Sequence, residues 1–381
     1  MRKVSFALAV GFVLVACGGG DENQAPKTPV TPPAATETAP APTAEAPKEE
    51  VKPKEARVDL QYKTMKGYMA AMNAHDAKAV SGFYAEGAVV KLGGAPDTTG
   101  RDAIAQSYGK LFDAFKDYTV AASRVVVKND VVVTEWTFNA THTGDLWGIK
   151  ASEKKVGAQG VDVLWFTPEG QIKEHHVYYD GATILSQIGM SKQKGRSIPT
   201  LPTGAPQILR STDGADEAKN TDVMKAMTAA MDSKKEADFL GTMADTVEWD
   251  DMTQPATSKG KTDAKKFLKE FSTGFPDAKT TTTNSWAAGD IVVTENTWAG
   301  THKGSFFGIP ATKKSVTVKN VDIGQFKDGK LVKGWGYSNG ADFAMQLGLM
   351  PKPGDAKAAP ATGDKKPADK KPADTKAPAK K

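Results

Sequence analysis

The chain has 381 residues, of which 39% are hydrophobic and 25% charged, enough apolar material for two or three domains at about 150 residues each. Its single cysteine excludes an intrachain disulfide framework and any multi-cysteine metal cluster. The net charge of +5 sits in one place: Pro351–Lys381 holds nine Lys and four Asp, and the remaining 41 basic and 41 acidic residues cancel, so a folded domain that grips nucleic acid by its phosphates is not expected.

In chain order, Arg2 and Lys3 precede a twelve-residue apolar run, Val4 to Val15. That is too short to span a bilayer as a mature helix and fits the core of a signal peptide. The run ends in Leu14-Val15-Ala16-Cys17, which resembles the lipobox of bacterial lipoproteins. The resemblance implies removal of residues 1–16 and an acylated Cys17. With Gly18 rather than Asp next in line, it implies an outer-membrane lipoprotein of the cell envelope facing the periplasm, with the membrane as partner through a lipid anchor. Residues 17–57, rich in Pro, Ala, Thr and Glu, cannot bury a core and read as a disordered tether. A second linker spans 191–219, and the Lys/Ala/Pro tail over 351–381 is again low in complexity.

The two segments between, 58–190 and 220–350, are copies of one another. Ala70-Ala71-Met72 recurs as Ala229-Ala230-Met231, Val132-Val133-Thr134-Glu135 as Val292-Val293-Thr294-Glu295, Thr141-His142 as Thr301-His302, and Gln187-Ile188-Gly189 as Gln346-Leu347-Gly348. Repeats this long are whole domains rather than solenoid units.

Each copy opens with helical periodicity. Tyr62, Met65, Tyr68, Met69 and Met72 mark a first helix, and a second from Asp76 carries Val80, Phe83 and Tyr84. A third, after Gly100, carries Ile104, Tyr108, Leu111, Phe112 and Phe115. Strands follow: Val125-Val126-Val127 and Val131-Val132-Val133 flank an Asn129-Asp130 turn, and Pro168-Glu169-Gly170 marks a second hairpin. Gly181 to Leu185 reads as a short closing helix. The fold class expected is α+β: two cones, each a curved antiparallel sheet wrapped on about three helices and enclosing a pocket.

Alternation along strands sorts the candidate residues into faces. Thr134, Trp136 and Phe138 share one with His142; Asp162 lies with Leu164 and Phe166; Glu174, His176, Tyr178 and Asp180 share a third. An Asp ending an aromatic-lined strand is a candidate general acid/base, its proton shared with a nearby His. The pattern itself favours Asp180 as the N-cap of the closing helix, and His142 and His176 as a loop contact and a pocket-wall residue. Trp136, Trp147, Trp165, Tyr178 and Tyr179 read as core and pocket lining. Asp250 and Asp251 have no His or Cys at ligand spacing, so no metal site is expected.

The stretch Ala140-Thr141-His142-Thr143-Gly144-Asp145-Leu146-Trp147-Gly148-Ile149 resembles the Gly-Thr-His-x-Gly-x-Phe-x-Gly-Ile motif of SnoaL-like polyketide cyclases, also called ester cyclases, and Gly300 to Pro310 resembles it more closely. Glu174, His176 and Asp180 match a Glu-x-Trp-x-x-x-Asp strand, with His where the family has Trp; copy two has Lys333, Trp335 and Asn339 there. The resemblance implies a nuclear-transport-factor-like cone, a pocket for a small hydrophobic ligand, chemistry without cofactor, and a pocket Asp that falls on Asp180, with His176 and His142 placing the substrate. Trp136, Trp147, Asp162 and Tyr178 are the ligand-contact candidates of copy one; His302, Asp322, Trp335 and Asn339 are those of copy two. Asn339 cannot act as a carboxylate base. The reading favoured is a lipid-anchored binding protein without catalysis, the two cones pairing as a pseudo-dimer. The alternative is a cyclase or isomerase using Asp180 in domain 1.

Overall fold

The computed structural model describes residues 54–191 and 195–350. The signal segment, Cys17, nearly all of the tether and the tail after Met350 lie outside the described residues. Domain 1 begins with α1 (Lys54–Asn73), whose Val58, Met65, Tyr68 and Met72 recur at helical spacing and are buried. α2 (Ala77–Gly82) is N-capped by Asp76, whose Oδ1 accepts from the Ala79 amide at 2.9 Å. α3 (Arg101–Ala114) buries Ile104 and Phe112. Strands β1 (Tyr84–Leu92), β2 (Thr98–Thr99), β3 (Thr119–Lys128), β4 (Val131–Thr141), β5 (Lys155–Phe166) and β6 (Ile172–Tyr179) follow, closed by α4 (Gly181–Gln187).

The sheet differs from the expected all-antiparallel one. Tyr84, read as helical, starts β1, which runs parallel to β6 with Val89 opposite Glu174 and Val90 opposite His175. The sheet order is β2-β1-β6-β5-β4-β3-β7. Its last member, β7 (Gln207–Arg210), belongs to the segment read as linker; it pairs parallel with β3 and covers that edge.

Domain 2 repeats the plan with α5 (Ala215–Ser233), α6 (Glu236–Gly241), β8 (Met243–Asp251), β9 (Ser258–Lys259), α7 (Gly260–Gly274), β10 (Lys279–Ala288), β11 (Ile291–Thr301), β12 (Ser315–Lys327), β13 (Lys330–Ser338) and α8 (Gly340–Gln346). Its sheet runs β10-β11-β12-β13-β8-β9, with β13 and β8 parallel.

Each sheet has a concave face on its helices and an outer face turned to the other domain. Val126, Val131, Val133, Val161 and Val163 of one outer face form a single buried cluster with Trp286, Ile291, Val293, Val321 and Ile323 of the other. Two glutamates are buried within it, in a reciprocal arrangement. Tyr337 of domain 2 donates to Glu135 of domain 1 at 2.7 Å, and Tyr178 of domain 1 donates to Glu295 of domain 2 at 2.5 Å. The nitrogen base beside each differs: Arg124, 2.7 Å from Glu135 and stacked 4.2 Å from the Trp335 ring, in one case, and the His176 ring, 2.5 Å from Glu295, in the other.

Candidate functional site

The cone of domain 1 encloses a cavity of about 780 Å³. Trp136 and Phe138 of β4, Tyr118, Tyr179 and Ile184 give it apolar walls, and the half-exposed Trp147 stands at its mouth. The polar groups on and behind its wall come from five elements. Asp162 of β5, Cα partner of Thr134 and Val177, projects inward, and His175 of β6 places Nε2 3.2 Å from its Oδ1. The other ring nitrogen of His175, Nδ1, lies 2.8 Å from the Tyr84 hydroxyl. Tyr84 in turn meets Tyr108 at 3.1 Å, and Tyr108 meets Tyr68 at 2.8 Å. With Tyr84 on Nδ1, the other ring nitrogen, Nε2, is the one beside Asp162.

Burial holds these phenols neutral. Tyr108 is pushed up to about 12, first by loss of water and then by the charge of Asp162, and Tyr68 and Tyr84 are raised well above the ordinary phenol value, again first by burial. They are therefore hydrogen-bond donors over the physiological range. The Trp136 indole nitrogen, also buried, has no partner among the described residues, and a ligand oxygen could accept from it. The cluster thus holds a carboxylate, an imidazole and neutral donors in a largely apolar space, the inventory for moving a proton on a bound molecule.

Of the residues singled out from sequence, Trp136, Trp147 and Asp162 line this cavity. Asp180 does not. It caps α4, accepting from the Ala182 amide at 3.1 Å, the Thr183 amide at 3.0 Å and the Thr183 hydroxyl at 2.7 Å, and takes a fourth bond from the Gly340 amide of domain 2 at 2.9 Å. Asn339 is its mirror, capping α8 and accepting from the Gly181 amide at 3.3 Å. Burial raises the Asp180 pKa, but its oxygens are engaged in holding helix ends. His176 and Tyr178 are on the outer face, bound to Glu295, and Trp335 is there too, under Arg124. The alternation expected over 174–178 is present on β6, with Asp180 beyond its end, and the inward set is His175, Val177 and Tyr179.

His142 and His302 are fully buried beside the cones rather than in their cavities. Nδ1 of His142 meets the Ser152 hydroxyl at 3.0 Å, and Nδ1 of His302 meets that of Thr312 at 3.2 Å, each ring packing on a phenylalanine, Phe115 or Phe275. They pin the loop that carries the Thr-His-x-Gly motif. The glycine of that motif is steric in origin: a Cβ on Gly144 would lie 2.1 Å from the Asp113 carbonyl oxygen, and one on Gly304 2.2 Å from that of Thr273.

Domain 2 encloses a second cavity of about 480 Å³ that includes Asp322, the counterpart of Asp162. Its surroundings have changed. Tyr68, Tyr84 and Tyr108 are replaced by Met227, Met243 and Phe267, and His175 by Gly334. The Trp249 ring fills the vacated space, 2.2 Å from where a Cβ on Gly334 would stand. The Asp–His pair therefore exists in domain 1 alone among the described residues. No group of three or more His, Cys, Asp or Glu placed to hold a metal occurs among them.

A family model described as SnoaL-like polyketide cyclase matches the chain twice, over residues 63–188 and 221–347. No curated protein matches. Among solved structures, AclR from Streptomyces galilaeus is 24% identical, with 35% of this chain and 84% of that chain covered and a TM-score of 0.32. TsrD from Streptomyces laurentii is 21% identical, with 36% and 100% covered and a TM-score of 0.33. Wild-type IdmH from Streptomyces antibioticus is 21% identical, with 34% and 98% covered and a TM-score of 0.31. The two family matches take up most of the described residues, one to each cone, and the chain belongs to the SnoaL-like polyketide cyclase family as a tandem of two such domains.

Proposed function

We propose that domain 1 binds a small, largely apolar molecule bearing an oxygen function and moves a proton on it without a cofactor, through Asp162 and His175. The observation that carries this is the 3.2 Å Asp162–His175 contact on the wall of a largely apolar cavity. Asp162 would take a proton from carbon next to a carbonyl. His175, held by Tyr84, orients that carboxyl, and the Trp136 N–H donates to the ligand oxygen as negative charge develops on it. This moves the acid/base role from Asp180 to Asp162.

The test uses enolisable aryl ketones such as 1-indanone and 2-tetralone in D₂O, with loss of the α-proton signal followed by NMR. Wild-type chain should accelerate exchange of those ketones that raise its melting temperature. Asp162→Asn should lower that acceleration about 100-fold or more, the usual span for a lost general base. Ketones that bind yet exchange no faster than in buffer would leave domain 1 a carrier. That second reading is supported by domain 2, which keeps a chamber without the pair.

The two domains are read as an internal counterpart of a family dimer, supported by the reciprocal Tyr337–Glu135 and Tyr178–Glu295 bonds. The chain is further read as a lipoprotein of the cell envelope, supported by the charged start, the apolar run and the lone Cys17. Mass spectrometry of detergent-extracted chain should find a mature N-terminus at Cys17 carrying fatty acyl mass; an unmodified Cys17 removes the anchor.

A further inference from the structure

We propose that the domain 2 chamber binds a small organic cation, an ammonium group on a compact apolar body. The cavity of about 480 Å³ is walled by Trp249, Trp298, Phe267 and Phe271, and two carboxyl groups, Asp251 of β8 and Asp322 of β12, line it together. Aromatic faces and carboxylates converging on one enclosed space complement a positive charge and little else. The comparison with domain 1 sharpens this. Where domain 1 has Leu92, domain 2 has Asp251; where domain 1 has His175, which lines its cavity together with Lys110, domain 2 has Gly334. The second copy has gained a carboxyl and lost an imidazole.

The hydrogen bonds within the chamber leave room for such a guest. Asp322 Oδ2 takes the amides of Asn296 at 3.0 Å and Asn320 at 2.9 Å, and Asp251 Oδ1 takes the Thr253 amide at 2.9 Å and hydroxyl at 2.8 Å. Among the described residues, neither carboxyl has a cation within salt-bridge distance. Arg196, the nearest basic group behind Asp251, is bound to Asp250 Oδ1 at 2.6 Å and to the Asp251 and Gln254 carbonyl oxygens at 2.8 and 3.1 Å. The remaining charged groups on the lining, Asp263 and Lys266, come from α7, and the Tyr337 hydroxyl is committed to Glu135. The Asn320 Oδ1, buried and without a partner, adds an acceptor to a chamber already made of acceptors. Burial, and then the charge of Asp251, pushes Asp322 up to about 7. A bound cation would favour its ionised form, so affinity should rise with pH across that value.

The experiment compares choline with its neutral isostere 3,3-dimethyl-1-butanol on the full chain, by calorimetry and by quenching of indole fluorescence. Choline keeps its charge at every pH used. At pH 8 it should bind at least about tenfold more tightly than the alcohol, and several-fold more tightly than at pH 6. Asp322→Asn should flatten the pH difference and reduce the preference over the alcohol, Asp251 and the aromatic walls remaining. Equal affinity for the two probes, no binding of either, or an affinity for choline that falls as pH rises would overturn the proposal. The isostere and pH comparisons use wild-type chain, so they decide the matter even if the variant does not fold.

Discussion

Replacing Arg124 with methionine should destabilise the chain by about 3 kcal/mol at pH 8 in urea unfolding, and by clearly less at pH 5. Arg124 and Glu135 are both largely buried, 2.7 Å apart on neighbouring strands, in the surface where the two domains meet. Methionine removes the guanidinium that lies over the Trp335 ring, so the change takes away the charge and that cation–π contact together. Losing one partner of a buried pair costs about 3–5 kcal/mol because the other charge is left without compensation. The low end applies because Glu135 can take up a proton: burial already raises its pKa, against the pull of Arg124 and Tyr337. Without Arg124 it would rise further. An acid whose folded pKa lies above its unfolded value gives stability that is full at low pH and lost as pH rises through the folded value. The deficit therefore grows from pH 5 to pH 8. Adding Glu135→Gln to the variant should recover part of it, since the Tyr337 hydroxyl can donate to an amide oxygen. A loss below about 1 kcal/mol, or one that does not change with pH, would mean that the pair is solvated and the domain contact weaker than its geometry implies.

The legible and illegible parts of this molecule divide by range. Helical periodicity placed α1 and α3, the Asn129-Asp130 turn placed the β3–β4 hairpin, and Gly181 to Leu185 read as the closing helix that α4 is. Duplication was visible because matched segments keep their order and spacing. Period-two alternation brought Trp136 and Asp162 forward, and both line the cavity. What failed was the choice of face on β6, where two adjacent histidines point opposite ways. Only the pairing with β5 decides between them: His175 lies opposite Leu164, and Leu164 shares the inward face with Asp162. The tyrosine relay was hidden for the same reason, since its link from Tyr84 to His175 spans 91 positions. The parallel β1–β6 pair could not be read from a segment whose apolar residues continue the helical period of α2. Glu135 and Glu295 each end a Val-Val-Thr-Glu run that served only to mark the repeat. Their partners could not be read, because Tyr337 is 202 positions from Glu135.

Asp322→Asn should make the chain more stable at pH 8 and leave it nearly unchanged at pH 4. The ordinary carboxyl value is 3.8, and Asp322 is pushed up to about 7 by burial and by Asp251. Its contribution is fully present below the unfolded value and lost as pH rises through the folded one, so the window runs from about pH 4 to somewhat above 7. A shift of that size corresponds to several kcal/mol at about 1.4 kcal/mol per unit. Solvent reaching a side chain that is not fully buried reduces this to about 2 kcal/mol. Thermal or urea midpoints of both chains at pH 4 and pH 8 measure it. A wild type more stable than the variant at pH 8 would show that Asp322 is compensated by its amide donors after all. A carboxyl that destabilises the free chain at neutral pH is one that gains from a cationic guest. Choline at pH 8 should therefore raise the midpoint of wild type more than that of Asp322→Asn, by mass action, and narrow the gap between them.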